Sequence, residues 1–545
     1  MTAGSAHKRS TTVDLSRARV AALGRKHWML IAAVVAALLA RVLFWVVANR
    51  TWEDALITLA HVRNATEGLG LTHHAGERPI HGFTSALSVL LPLGSEFIVS
   101  GSGLTAMRIA SLVAAVVAVC YAYAIAGRLH LSRWPTAFVL TYVALNELQI
   151  FYGMSGMETQ LAVAILLAGA YHAMRRHDLT VGILAGLAAL ARPDLILWVL
   201  PVLAWSAMRG FRSFIRVAVP AGVIVAPWLL FTTTYYGSPV PNTVLAKAAA
   251  YSSMPSIGAA WNQWVAWAGH QIGTAILALL RAFMPFYEDG AVVAAPIPAG
   301  PLSLIGIGMI GLALIGAWRL RRMPDWWPVG AYLTFFLAYW CLLLPPVGYF
   351  NWYLPPFTAL IALLIGAGLE AMRRRSATLS AGAVLMLAAG VAIHLPFAIP
   401  LERIVQMQID DGIRREVGLY LAAVVPPGDA VTTEPAGYIG YYSRVTLWDH
   451  PGLTSPTARA AVATLPPGHR DIAGLAAVLH PPWLVLRPPE WEALEHEHPD
   501  TASCYAPVKT FGQFRAPAIG LNGLVKWNQD WVFTVYRRSL CAGPG

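Results

Sequence analysis

The stretch WMLIAAVVAALLARVLFWVVANRTWED, residues 28–54, decides how the rest of the chain is read. Its first part, Trp28 to Val47, is an apolar run interrupted by Arg41. It has the ~20 residues an α-helix needs to cross a bilayer. Lys8, Arg9, Arg17, Arg19, Arg25 and Lys26 precede it, and such a cluster of cations holds a tail in the cytoplasm. The residues that follow, Arg50-Thr51-Trp52-Glu53-Asp54, offer no small-residue cleavage site. The run is therefore expected to be a retained anchor, not a cleaved signal peptide. Arg41 must either pack inside a helix bundle or reach an anionic lipid headgroup.

Composition extends this reading to the whole chain. Of 545 residues, 57% are hydrophobic and 12% charged, with a mean hydropathy of +0.56. Soluble domains carry roughly 25% charge, so a water-soluble enzyme of this size is excluded and most of the apolar excess must face lipid. The net charge of +11 raises the question of a nucleic-acid partner. The basic residues instead recur at the ends of apolar runs. Further spans are expected at Leu104–Ala126, Trp134–Tyr152, Thr159–Met174, Val181–Ala191, Leu195–Met208, Phe214–Tyr235, Leu302–Trp318, Trp327–Leu344, Leu354–Ala371 and Leu379–Ile399. That makes about eleven crossings. With the N-terminus inside, the clusters at Arg128/Arg133, Arg175/Arg176, Arg209/Arg212/Arg216, Arg319/Arg321/Arg322 and Arg373/Arg374/Arg375 all fall on the cytoplasmic side. Nucleic acid is accordingly not expected as a partner.

The expected organisation is a cytoplasmic basic tail (1–27), a transmembrane domain (28–400) with long exterior loops at 48–103 and 236–301, and an exterior domain (401–545). Apolar pieces at Leu87–Val99 and Ile272–Phe286 would break the charge rule if they crossed, so they are expected to lie at the interface. Beyond residue 400, Pro-Pro pairs recur and apolar runs shrink to strand length, as in Trp483–Leu486 and Trp531–Tyr536. This predicts a small α/β domain. Cys504 and Cys541 lie in it, where a disulfide is permitted, and sequence leaves their pairing open. Cys120 and Cys341 fall within spans and read as packing residues.

In so apolar a chain the ionisable groups are conspicuous. The loop after the first span holds Glu53, Asp54, His61, Arg63, Asn64, Glu67, His73, His74, Glu77, Arg78 and His81. A carboxylate at the lipid–water boundary is partly desolvated, which raises its basicity toward a hydroxyl. The topology brings Ser155-Gly156-Met157-Glu158-Thr159 to the same side, along with Arg192-Pro193-Asp194 and the turn Pro241-Asn242-Thr243 that leads to Lys247. Each has a plainer alternative: solvated loop acids, a charged pair capping a proline turn, a snorkelling lysine. Together they suggest a site that takes an anionic lipid from the bilayer and a polar acceptor from water. Glycosyl transfer from a polyprenyl-phosphate sugar fits. A carboxylate would take the acceptor proton and cations would stabilise the departing phosphate.

The order of these motifs resembles the GT-C membrane glycosyltransferases, in particular the arabinofuranosyltransferase branch of mycobacterial cell-wall assembly that uses decaprenyl-phosphate arabinose. The resemblance rests on Glu53-Asp54-Ala55, Arg63-Asn64, Gly68 and Gly70, Gly76-Glu77-Arg78, Gly82-Phe83-Thr84-Ser85, Ser155–Thr159, Ala191–Asp194, Pro241-Asn242-Thr243 with Lys247, and Glu434–Tyr442. It implies a GT-C fold, a lipid-phosphate donor, Asp54 as general base, and Glu158 and Lys247 as site residues. The chain departs from the branch at Ala60-His61 and at His73-His74-Ala75, where donor recognition would lie, so the sugar is left open as arabinofuranose or another pentose or hexose. Some members of the superfamily use a divalent cation and others do not. This sequence has neither zinc-type spacing nor HExxH, and no metal ligand or cofactor is assigned.

The expectation is an inverting transferase of the cytoplasmic (inner) membrane, multi-pass, with its site and C-terminal domain facing the exterior and an envelope glycan or glycoconjugate as acceptor. Asp54 would be the base, and Glu53 or Glu158 would orient the acceptor or support Asp54. Arg63, Arg78 and Lys247 would bind phosphate, with Asn64, His73, His74, Glu77, His81, Arg192 and Asn242 as further substrate contacts. Two rivals are a lipid-sugar flippase or transporter and a non-catalytic glycan-binding protein.

Overall fold

The computed structural model describes residues 6–251, 254–255, 258–283, 287–289, 292–294, 299–342, 350–393, 395–512, 529–539 and 541. Helices dominate. The first, α1 (Ala6–Val47), bends at His27, where the basic tail gives way to the apolar run. After it come α2 (Glu53–Thr66) and α3 (Ala86–Glu96) in the first loop, then α4 (Gly103–Arg128), α5 (Arg133–Leu145), α6 (Glu147–Met154), α7 (Thr159–Met174), α8 (Asp178–Ala191), α9 (Ile196–Met208) and α10 (Phe211–Tyr236). The second loop carries α11 (Asn242–Tyr251), α12 (Trp261–Phe283) and a hairpin of β1 (Tyr287–Asp289) with β2 (Val292–Ala294). Helices α13 (Ala299–Leu320), α14 (Trp327–Leu342), α15 (Leu354–Arg373), α16 (Ala377–Ala392) and α17 (Leu395–Val405) complete the bundle.

Among the described residues, four helical stretches are long and apolar enough to cross a membrane, His27–Val47, Gly103–Arg128, Phe211–Tyr236 and Asn351–Arg373. The protein is thus a multi-pass membrane protein. Most other expected spans correspond to shorter apolar helices such as α7, α8 and α16, below the ~20 residues of a straight crossing. The span expected at 134–152 is two helices. Asn146 takes an extended conformation (φ −61°, ψ 124°) and its side chain caps α6 by accepting from Gln149 N. Position in the bundle follows apolarity on all sides: 89% of the most apolar window of Asn351–Arg373 is buried, against 11% for α10. The former is central and α10 faces outward. Arg41 is fully buried, donating to Ala144 O (2.8 Å) and Gln160 Oε1 (2.8 Å), so of its two expected roles the structure shows packing within the bundle.

Of the two expected interfacial pieces, the first is α3 with an exposed apolar tip at Phe97, Ile98 and Val99. The second lies within the longer α12, and its residues 284–286 are outside those described. Cys120 is exposed on the outer face of α4 and not a packing residue.

Past α17 a π-helical stretch, Gln406–Arg414, leads into α18 (Arg415–Val424), β3 (Ala430–Thr433), α19 (Tyr438–Ser443), β4 (Thr446–Asp449), α20 (Pro456–Thr464), α21 (Ile472–Leu479), β5 (Trp483–Leu486), β6 (Tyr505–Gly512) and β7 (Val532–Arg538). The sheet order is β4-β3-β5-β7-β6. The pairs β3–β4 and β3–β5 are parallel, and those of β7 antiparallel. All residues of β3 and β5 are buried, as strands covered on both faces require. Trp483 and Val485 face a core with Val417, Leu421 and Ile439, while Leu484 and Leu486 face one with Ile472 and Ala476. Ile57 of α2 enters the first core, so the loop after α1 is packed into the C-terminal domain. Cys504 and Cys541 form a disulfide.

Candidate active site

The sequence around α2 builds a cleft in three steps. Trp52 precedes the helix, packs edge-on against Phe151, Tyr152 and Trp352, and donates its N–H to Ser155 O at 2.9 Å. That bond seats the Ser155–Glu158 turn against the start of α2. Gly156 makes the approach possible: its φ is +98°, and a Cβ there would lie 2.9 Å from Ala55 Cβ and 2.7 Å from Leu104 Cδ1, too close for any side chain. The third step is the Asn242 clamp. Its N–H donates to His81 O, its side-chain amide donates to Gly452 O and Leu453 O, and its Oδ1 accepts from Arg459. The clamp fixes the start of α11, so that Thr243 and Lys247, one turn apart and on one face, turn toward α2.

Asp54, Ile57 and Thr58 of α2, Thr84 and Ser85 of the loop, Glu158, Arg192, Asp194, Thr243, Lys247, Trp352 and Tyr353 line the resulting cavity. Lys247 Nζ lies 3.9 Å from Asp54 Oδ2 and over the rings of Phe350 (5.1 Å) and Trp352 (5.3 Å). Arg192 donates to Asp194 Oδ1 (2.9 Å) and Trp352 O (2.9 Å), stacks on Tyr353 (4.5 Å), and has its Nη1 3.8 Å from Glu158 Oε1. The Asp54 side chain is 31% exposed and that of Glu158 9%. Burial raises the Glu158 carboxyl above its usual range, and Arg192 opposes the shift. An adjoining lobe shares Asp54, Ile57, Lys247, Trp352 and Leu453 and adds Glu53, Glu434 and His450.

Glu53 is next to Asp54 in sequence and turned elsewhere in space. Its Oε1 accepts from the backbone N–H of Gly437 (2.5 Å) and Tyr438 (3.1 Å) at the start of α19, and Oε2 meets Arg414 at 3.3 Å. Burial raises this carboxyl too, with Arg414 opposing. Asp54, by contrast, makes no hydrogen bond through its carboxylate among the described residues.

Other expected site residues lie outside the cavity. Arg63 donates to Tyr441 O (2.7 Å) and stacks on that ring (4.4 Å) in a groove on the opposite side of α2. Glu77 and Arg78 border a shallow depression against α20, where Glu77 accepts from Thr457 N (3.3 Å). Asn64 ties α2 to the loop by donating to Thr72 O and His73 O. His73 and His74 are buried, His74 lying 3.5 Å from Glu77. His81 stacks on Tyr236 at 5.1 Å. Burial lowers all these imidazoles, His81 to about 3, and His61 beside them to about 4. Among the described residues, no group of three His, Cys, Asp or Glu side chains is arranged to hold a metal. Sequence reasoning missed Thr84, Thr243, Trp352 and Tyr353 as cavity residues. The run Phe350-Asn351-Trp352-Tyr353 ahead of an apolar helix was a signal for the last two.

Known proteins resemble this chain in fold more than in sequence. A domain family of unknown function, DUF8728, matches residues 403–536. No curated protein matches. Among solved structures, the archaeal oligosaccharyltransferase AglB from Archaeoglobus fulgidus, in complex with an inhibitory peptide and a dolichol-phosphate, is 12% identical with a TM-score of 0.50, over 93% of this chain and 74% of that one. ArnT from Cupriavidus metallidurans bound to undecaprenyl phosphate is 12% identical with a TM-score of 0.48, over 96% and 99% of the two chains. The arabinofuranosyltransferase AftD from Mycobacteria is 15% identical with a TM-score of 0.42, over 94% of this chain and 41% of its own. The likeness to AglB is one of fold.

Proposed function

We propose that the protein is a membrane glycosyltransferase of the inner membrane that moves a sugar from a polyprenyl-phosphate donor to a glycan or glycoconjugate outside the cytoplasm, with inversion at the anomeric carbon. The observation that carries this reading is the pairing of Asp54 with Lys247, 3.9 Å apart at a cavity between apolar helices and the C-terminal domain. The Asp54 carboxylate takes the proton of the acceptor hydroxyl as its oxygen attacks the anomeric carbon. The bond to phosphate oxygen breaks, and the lipid phosphate leaves with the electron pair. Lys247, backed by Arg192, offers positive charge where the phosphate charge develops. Glu158 is held by Arg192 at the cavity wall and orients the acceptor. The likeness of fold to AglB, whose structure holds a dolichol-phosphate, supports a lipid-phosphate donor. Arabinofuranose is one sugar this donor class supplies, and the acceptor is a cell-envelope glycan or glycoconjugate.

The test is turnover of radiolabelled polyprenyl-phosphate sugars by purified protein in detergent. Asp54→Asn should lower kcat/KM by about 10²–10⁴-fold, the usual worth of a general base, with folding intact. Near-normal turnover by that variant rejects the assignment. Transport into sealed vesicles without turnover in detergent favours a flippase, which needs two sides.

A further inference from the structure

Helix α2 has two working faces, and the proposed transfer uses one. Asp54, Ile57 and Thr58 face the catalytic cavity. Leu56, Leu59, Arg63 and Thr66, at helical spacing on another stripe, floor a separate groove of about 800 Å³ between α2, the α3–α4 turn and α19. Its volume lies within the roughly 300–1,000 Å³ of a small-molecule or short-oligomer pocket.

The chemistry of the walls narrows the ligand. Arg63, Arg108 and Arg444 are balanced by Glu67, Glu96 and Asp411. Most are engaged locally: Arg444 with Glu67 (3.1 Å), Arg108 with Arg50 O and Met154 O, and Glu96 with the N–H groups of Gly101 and Gly103. A phosphate would need a surplus cation, which this groove lacks. What remains is the half-buried ring of Tyr442, beside Tyr441 whose ring carries Arg63, and the planar Asp411 carboxylate, which accepts from the Gln406 amide at 3.0 Å. Aromatic faces pack against the C–H faces of sugar rings, and paired planar polar groups satisfy neighbouring hydroxyls.

We propose that this groove is a non-catalytic binding site for an oligosaccharide chain. Its role as a dock for the acceptor rests on the transferase reading above; binding itself does not. The glycan has two possible sources, a free polymer or a glycolipid, since exposed Phe97 at one end continues into Ile98 and Val99 at the apolar tip beyond α3.

The test is calorimetric titration of the full chain in detergent with linear arabino-, manno- and galacto-oligosaccharides, and with alkyl glycosides of the same sugars. At least one series should bind. Tyr442→Ala should weaken it about 2- to 12-fold, the scale of one lost aromatic contact, and Asp411→Asn about tenfold or more, that of a hydrogen bond to a charged group, while Tyr442→Phe, which keeps the ring, and Asp54→Asn, across the helix, should bind like the parent. Tighter binding of the alkyl glycoside identifies a glycolipid source, and equal binding a free polymer. Three results overturn the proposal: none of the oligosaccharides binds; binding is lost with Asp54→Asn and kept with Tyr442→Ala; or farnesyl phosphate displaces the glycan. Because only binding is read, an inactive transferase that binds glycan and a transferase without this site give different outcomes.

Discussion

At the scale of single residues, Lys247 answers two demands. It lies near Asp54 and over the rings of Phe350 and Trp352, which hold a cation without neutralising it. Removing one donor aimed at developing charge costs about 10²–10³-fold in kcat, so Lys247→Met should lower kcat by that much, while Lys247→Arg, which keeps the charge, should retain more. Steady-state kinetics with varied donor checks this; an effect on KM alone would make Lys247 a ground-state contact. The histidines carry a different consequence. His61 and His81 are buried neutral, with burial holding them at about 4 and about 3 against a normal 6.5. The unfolded chain therefore binds more protons than the folded one below pH 6.5. Stability should be full above that pH and fall as pH drops toward 4, by about 1.4 kcal/mol per pH unit for each histidine. Apparent Tm in detergent across pH 4–8 should show the decline, and His81→Phe should reduce it. Asp54, Glu158 and Lys247 were legible in the sequence because charge stands out in an apolar chain. Trp352 and Tyr353 were not, since an aromatic run before an apolar helix is equally the mark of an interfacial anchor.

At the scale of elements, the cavity depends on how closely the Ser155–Glu158 turn approaches α2. Gly156→Ala would bring a Cβ against Ala55 and Leu104 at a φ of +98°, a strain of about 1–3 kcal/mol. The turn must then withdraw and take Glu158 with it. Lower apparent Tm and reduced turnover should appear together, whereas Gly94→Ala, inside α3 with nothing within 4 Å of its new Cβ, should leave turnover unchanged and Tm equal or slightly higher. Helix positions such as Thr159–Met174 were readable to within a residue or two because apolar runs bounded by arginines have few alternatives. The break at Asn146 was not: Asn-Glu inside an apolar run reads as a tolerated polar pair, and only the bond from Gln149 N to the Asn146 side chain reveals a new helix start. The two faces of α2 were equally hidden. Read as one loop, Asp54 and Arg63 were expected in a single site, and nothing in the sequence said that each faced its own cavity.

At the scale of the whole molecule, the C-terminal domain is held to the bundle by buried ion pairs that begin one residue from the proposed base. Arg50 pairs with Glu402 (2.7 Å) and Asp410; Arg414 pairs with Asp410 (3.0 Å), Glu53 (3.3 Å) and Asp530; Arg487 pairs with Asp530, Glu434 (2.7 Å) and Glu490 (2.6 Å). Burial alone would raise the Asp530 carboxyl, yet Arg414 and Arg487 hold it at about 2. The sequence separation of these partners hid the network, because no local pattern joins Glu53 to residues more than 350 positions away. The disulfide within the same domain belongs to an oxidising compartment, in keeping with the exterior placement proposed here. Arg414 is the link whose loss should be felt at both ends. Arg414→Met leaves three buried carboxylates short of a partner, and breaking a buried pair costs about 3–5 kcal/mol. Apparent Tm should fall clearly, and so should turnover measured below the new transition, because Glu53 would keep only its backbone bonds to Gly437 and Tyr438 and α2 would be held less firmly beside Lys247. Raising the pH cannot restore the partner, whereas in the parent the Asp530 contribution is present above pH 3.8 and lost only as pH falls toward 2. If Arg414→Met lowers Tm while kcat/KM below the transition stays at the parent value, the network holds the domain in place without positioning the site.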